Sequence, residues 1–368
     1  MLQRIPSVLM LAVALRTHAQ EPPRGLIFQP GSVPFASSHA STIVELKGGM
    51  LMAAWFGGTG EGFPDVAIWG SRAREGESPA WSAPVELARE SAVPCWNPVL
   101  FHTKDGRLWL YYKFGPSPST WTAARKYSDD EGKTWSAPEH LPPGLVGPVR
   151  AKPLVLTDGT IVSGSSTEAD HSWTAWIERS IDNGKTWTRT GPIVPTAAPI
   201  NPRAGDQTAG NPSPIPGSHE WNETSGIIQP SVVSLGGTHL RFYARSTANF
   251  ARIAVADSFD NGVTWTAARL IDVPNPNSGI DAVALKDGRV VLVFNNTTTG
   301  RTPLNLSVSK DGEHFKMVDT LEDQPGEYSY PSMIQGGNGD LYITYTWNRK
   351  SIRFVHVPLT RLVRHSAQ

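Results

Sequence analysis

The chain has 368 residues, with 33 basic and 33 acidic side chains, 34 Gly, 31 Pro, 13 Trp and one Cys. Balanced charge gives no whole-molecule attraction to nucleic acid or to an anionic membrane, and the lone cysteine excludes an internal disulfide. Frequent Gly and Pro with abundant aromatics, and no heptad run or long amphipathic helix, fit many short strands joined by turns.

The first segment, "MLQRIPSVLMLAVALRTHAQ", has a positive start at Arg4, an apolar stretch, and small residues around Thr17, His18 and Ala19. This is the pattern of a secretory signal. The expectation is a secreted or periplasmic protein with residues 1–19 removed and residues 20–368 forming one domain. The apolar stretch is too short to span a bilayer, and no later segment is long enough.

A repeat follows. "STIVELKGGMLMAAWFGG" begins at Ser41, "NPVLFHTKDGRLWLYYKFG" at Asn97, "KPLVLTDGTIVSGSSTE" at Lys152, "QPSVVSLGGTHLRFYARS" at Gln229, "DAVALKDGRVVLVFNNT" at Asp281 and "YPSMIQGGNGDLYITYTW" at Tyr330. Each has an apolar run, a tight turn ending in Gly and a second apolar run rich in β-branched or aromatic residues, which predicts a β-hairpin. Between consecutive hairpins lie "YSDDEGKTW" (127–135), "RSIDNGKTW" (179–187) and "DSFDNGVTW" (257–265), with a worn copy, "SVSKDGEHF", after the fifth. In this Ser-x-Asp-x-Gly-x-Thr-Trp box the Ser and Asp can bond backbone amides, and Gly permits positive φ, so the box is a turn device. Each unit is then hairpin, third strand, box turn, fourth strand. Six such units avoid long exposed edges by closing radially, so the predicted fold is all-β, a six-bladed β-propeller. Strand material from near residues 24 to 35 is expected to complete the last blade. The Pro-rich segment 192–226 interrupts the period and reads as an insertion, either a lid or a decorated linker.

Strand direction places the hairpin and box turns at one end of each unit. The starts of the first strands then lie at the other end, with His39, Asn97, Lys152, Gln229, Asp281 and Tyr330. The ends of the second strands and their loops add Glu61, Lys113, Glu168, Arg245, Arg301 and Arg349. Polar and ionisable groups converging from nearly every unit mark a ligand site. No His and Cys cluster has zinc spacing, no glycine-rich phosphate loop follows a parallel strand, and the Asp-rich boxes lack a full calcium ligand set. No metal or cofactor is expected.

Over nearly all of residues 20–368 this pattern resembles the sialidases (neuraminidases), six-bladed propellers with Asp-boxes, and in particular sialidase-like BNR repeat proteins. The resemblance implies a glycoside hydrolase acting on glycans that end in sialic acid or a related acidic sugar, and a monomer is expected. Sialidases hold the substrate carboxylate with three arginines, whose planar guanidinium groups suit it. Arg245 in "FYARST" and Arg301 in "NNTTTGRTPLNLSVS" match two of them, while "SSHAST" puts His39 in the place of the third. Tyr330 in "GEYSYPSMIQ" matches the tyrosine nucleophile, with Tyr328 as second choice. Gln229 stands where the family has the glutamate base, so Glu168 in "SGSSTEAD" is the substitute candidate. Either Tyr330 attacks with Glu168 as its base, giving retention, or a carboxylate activates water directly while Tyr330 stabilises charge, giving inversion. Glu61, with Asp65 as neighbour, matches the acid position. Asn97, Lys113, Lys152 and Asp281 are expected as substrate contacts. The departures at His39 and Gln229 keep two alternatives open. One is a lyase or glycosidase acting on uronate-containing glycans, in which a Tyr and His pair serves β-elimination. The other is a propeller that binds glycans without turnover.

Overall fold

The computed structural model describes residues 24–169, 172–199 and 225–364. The signal expected over residues 1–19 and most of the 192–226 insertion lie outside these residues.

Strand β1 (Arg24–Leu26) is followed by five units of four strands and a sixth of three, which β1 completes. The first unit is β2 (Ser37–Leu46), β3 (Met50–Gly58), β4 (Ala67–Arg74) and β5 (Val85–Ala88). The second is β6 (Cys95–His102), β7 (Leu108–Phe114), β8 (Thr122–Ser128) and β9 (Glu139–His140). The third is β10 (Leu154–Val155), β11 (Ile161–Ala169), β12 (Ser172–Ser180) and β13 (Thr188–Ile193). The fourth is β14 (Ser225–Gly236), β15 (His239–Ser246), β16 (Arg252–Ser258) and β17 (Arg269–Pro274). The fifth is β18 (Asp281–Ala284), β19 (Val290–Phe294), β20 (Leu304–Ser309) and β21 (Lys316–Glu322). The sixth is β22 (Tyr328–Gln335), β23 (Leu341–Trp347) and β24 (Ser351–Val357), with β1 antiparallel to β24 as its fourth strand. Within each unit the strands are antiparallel, and a short parallel pairing of β12 with β14 joins the third unit to the fourth. The chain ends in a short helix α1 (Leu359–Arg364); among the described residues no helix is long and apolar enough to cross a membrane.

All six predicted hairpins form. Both faces of their strands are covered, so β3, "MLMAAWFGG", and β7, "LWLYYKF", are buried almost throughout rather than on alternate residues. A separate apolar cluster fills each junction between neighbouring units. Phe56 and Leu110 lie in the first junction, Phe101 and Ile161 in the second, Ile177 and Phe242 in the third. Tyr243 and Leu292 lie in the fourth, Leu306 and Ile343 in the fifth. Trp55 and Tyr342 join the sixth unit back to the first. Each fully buried side chain of this kind contributes about 1.5–3 kcal/mol.

The boxes are turns, and they are also staples between units. In the second box, Ser180 Oγ accepts from Gly184 N–H at 2.8 Å and donates to Asp182 at 2.8 Å. Asp182 accepts from Thr186 N–H at 2.9 Å and from its hydroxyl at 2.6 Å. The box on Asp130 and that on Asp260 repeat these bonds. Each box also grips the preceding unit: Gly184 O accepts from Arg125 and Asn261 O accepts from Arg179. In the worn copy Gly312 follows Asp311 directly, and His314 stands in for the Thr at 2.8 Å. Gly312 O still accepts from Tyr243.

The opposite ends of the first strands share another device. Ala40, Asn97, Gln229 and Tyr330 all have positive φ, at 55°, 38°, 57° and 51°. Each sits in a register shift between the first and second strands of its unit. Such bulges re-aim a side chain, and a non-glycine residue held there costs of order 1–3 kcal/mol.

Candidate active site

The bulge of β22 turns Tyr330 into a cluster of cations. Three guanidinium groups surround its ring: Arg150 at 5.3 Å, Arg301 at 5.5 Å and Arg245 at 5.7 Å from the centroid. Arg245 donates to the Tyr330 hydroxyl at 2.6 Å and to Asn277 at 2.7 Å, and it lies over the Trp173 ring. Tyr328 points elsewhere, into the apolar junction between the fifth and sixth units. Tyr330 is therefore the tyrosine brought to the arginines.

His39 packs on Tyr330 with ring centroids 4.3 Å apart, and its Nδ1 lies 2.9 Å from Thr346 Oγ1. Burial, together with the charges of Arg349, Arg301, Arg150 and Arg245, holds its pKa well below the usual value. It is a neutral ring inside a cationic cluster.

The carboxylates divide into two kinds. Glu327 accepts from Arg301 at 2.7 Å and from Arg349 at 2.9 Å. Burial works against its charge, but the two arginines overcome that and lower its pKa. Arg349 reaches on to Glu61, so both carboxylates share one guanidinium. Glu168, at the end of β11, differs. Its Oε1 is buried without a hydrogen-bond partner, and burial pushes its pKa up to about 7, with Arg245 opposing and Glu61 adding to the shift. Gln229 Oε1 and Asn277 Nδ2 are likewise buried without partners.

The remaining expected contacts go to other duties. Lys113 is fully buried, and its Nζ donates to Pro148 O at 2.7 Å. Burial lowers its pKa to about 7. It supports the segment that carries Arg150 and is not open to a ligand. Asp281 is fully buried as well, accepting from Lys152 at 2.9 Å, from Ser231 at 2.7 Å and from Met333 N–H at 2.8 Å. Lys152 lines a cleft of about 430 Å³ with Val232, Ser234, Ala282 and Lys286, on the hairpin-turn side. The pair is a staple between units, not part of the arginine cluster. Asn97 lies buried at the bulge of β6. Asp65 caps its own loop by accepting from Thr59 N–H at 2.8 Å. The start of the insertion, around Pro195, runs beside Ala268 at the edge of the fourth unit. Among the described residues no group of His, Cys, Asp and Glu could hold a metal ion.

Sequence reasoning missed Arg150, in "GPVRAKP", and Glu327, in "PGEYSYP". A basic residue two positions before Lys152 and an acidic one three before Tyr330 were the available signals.

Solved structures with this fold include the NanB sialidase of Streptococcus pneumoniae, at 15% identity and a TM-score of 0.69, matched over 92% of this chain and 71% of that one. The intramolecular trans-sialidase of Ruminococcus gnavus matches at 14% identity and 0.67, over 91% of this chain and 97% of that one. A Dyadobacter fermentans protein of unknown function matches at 15% and 0.71, over 92% and 98%. The model of the BNR repeat-like domain matches residues 49–343. With a tyrosine among arginines on a sialidase-like all-β fold, the chain belongs to the BNR repeat-like domain family.

Proposed function

We propose that the six units are the blades of a β-propeller, and that the protein is an exo-acting glycoside hydrolase removing terminal sialic acid or a related acidic sugar from glycoconjugates. The observation that carries this reading is Tyr330, whose hydroxyl accepts from Arg245 within a cage of three guanidinium groups. A sugar whose anomeric carbon bears a carboxylate would repel a carboxylate nucleophile. A phenol does not carry that penalty, and arginines suit the substrate acid.

In the first step Tyr330 Oη forms a bond to the anomeric carbon and gives its proton to Glu168. The glycosidic C–O bond breaks, and the leaving oxygen takes a proton from Glu61. Water then reverses the step. It gives its proton to Glu61 and its oxygen to the anomeric carbon, the bond from that carbon to Tyr330 Oη breaks, and Oη regains a proton from Glu168. A buried carboxyl near pH 7 suits such proton transfer. Arg349 and Glu327 position Glu61. The test is release of free sialic acid from a sialylated glycoprotein, with Glu61→Gln and Arg245→Ala in parallel. Release by the parent protein that both variants lose supports the reading; no release by folded protein contradicts it.

One observation favours a second reading. The neutral His39 ring packed on Tyr330 suits a Tyr and His pair for β-elimination on a uronate-containing glycan. A product that absorbs in the near ultraviolet would identify that reaction, whereas hydrolysis gives none.

A further inference from the structure

Arg150 has no counter-charge in hydrogen-bond contact. Its Nη2 donates to Pro331 O, in the strand that carries Tyr330, while its Nε and Nη1 are buried without a partner. Only 3% of the residue is exposed. The neighbouring cations are served differently. Arg301 and Arg349 share Glu327, and Lys152 holds Asp281. Asp281 is the acid that acts on Arg150 from a distance, but its oxygens are already taken by Lys152, Ser231 and Met333.

A buried, under-satisfied guanidinium is costly, and replacement by an apolar side chain often stabilises a protein. The local structure nevertheless makes room for it. A Cβ at Gly279 would meet Arg150 Nε at 3.2 Å and Tyr330 Cγ at 3.4 Å, so the glycine lets the guanidinium sit against the ring. Both orphan N–H groups are enclosed, so Arg150 does not reach a substrate directly. What it reaches is Tyr330.

We propose that Arg150 is a positioning residue that acts through Tyr330, its buried charge stabilising the negative charge that gathers on the Tyr330 oxygen as its proton leaves. A fixed cation in a water-excluded site needs no reorganisation at that moment. The inference rests on the reading of Tyr330 as the reacting group, and it is tested without turnover. Tetranitromethane nitrates tyrosine through its phenolate. In substrate-free protein, the rate of Tyr330 nitration is followed by mass spectrometry for the parent, Arg150→Gln and Arg150→Lys, with another tyrosine as internal control. Arg150→Met keeps the stem's packing and replaces Arg150→Gln if the latter does not fold. The expected result is a fall of about tenfold or more in Arg150→Gln, restored in part by Arg150→Lys, with the control unchanged. Kinetics of sialic acid release should show a lower kcat and an unchanged KM. Slower nitration with no sialic acid released by the parent keeps the role of Arg150 and removes the sialidase reading. Unchanged nitration in a folded variant overturns the inference whatever the activity.

Discussion

The two ends of the strands are built on opposite rules. At the box end the Ser and Asp side chains of each full repeat have partners close by in sequence: Ser180 with Gly184, Asp182 with Thr186, and the same at Asp130 and Asp260. At the other end Glu168, Gln229, Asn277 and Arg150 bury polar atoms without partners. Burying an unmade bond costs about 1–3 kcal/mol. Neighbouring turns show that the fold can satisfy its polar groups, so the unsatisfied end reads as a place kept ready for something else. Acidity separates the box aspartates from Glu168, though not from Glu327, which its arginines lower as well. Asp182 and Asp260 fall to about 2 through bonds from the Thr hydroxyl and amide, while burial lifts Glu168 to about 7.

The strongest way to break the comparison is Tyr330→Phe. It removes the reacting oxygen and keeps the ring among its arginines, so kcat should fall by at least about 10³-fold with the fold intact by circular dichroism. Comparable activity in the variant would move the chemistry elsewhere.

Glu168→Gln should lower kcat by about 10²–10⁴-fold and remove a limb of kcat/KM that rises with pH through about 7. It should also change stability. The folded carboxyl keeps a proton that the unfolded chain releases from its ordinary value near 4.5, so the parent loses stability as pH rises from there to about 7. The variant lacks that loss, and melting curves at pH 5 and pH 8 would show the parent falling relative to it. The boxes carry the opposite sign. Their aspartates contribute stability above the ordinary value of 3.8, lost as pH falls towards about 2.

Gly279→Ala is a smaller perturbation. Its methyl presses on Arg150 and Tyr330, so kcat should drop by about tenfold while melting shifts little. Ser180→Ala probes the other end. It strands the Gly184 amide and should cost about 1–3 kcal/mol by denaturant unfolding, with KM and kcat unchanged at 25 °C. A loss of activity without loss of stability there would erase the distinction between the ends.

The sequence disclosed the box end far better than the site. Boxes and hairpins are local: the residues that bond lie within a few positions of one another, so period and turn chemistry are enough to find them. The site is assembled from separate units. Lys113 looked like a rim residue because it ends a strand, but the segment at Pro148 from the next unit covers it. Asp281 and Lys152 looked like two contacts and are one buried pair. Arg150 went unnoticed because its one mark is its place two residues before Lys152, whereas the tyrosine it packs on lies far along the chain. His39, Arg245, Arg301 and Tyr330 were legible because each lies at a strand end or in the loop after it, places that the repeat itself locates, and the structure gathers them about one ring.

The most direct test of the account is to trap the reaction. A fluorinated sialic acid analogue with a good leaving group slows the second step, and peptide mapping by mass spectrometry then locates any sugar left on the protein. The account predicts one sugar on the peptide carrying Tyr330, absent in Tyr330→Phe. A sugar on Glu61 or Glu168, or turnover of the analogue with no adduct at Tyr330, would contradict it.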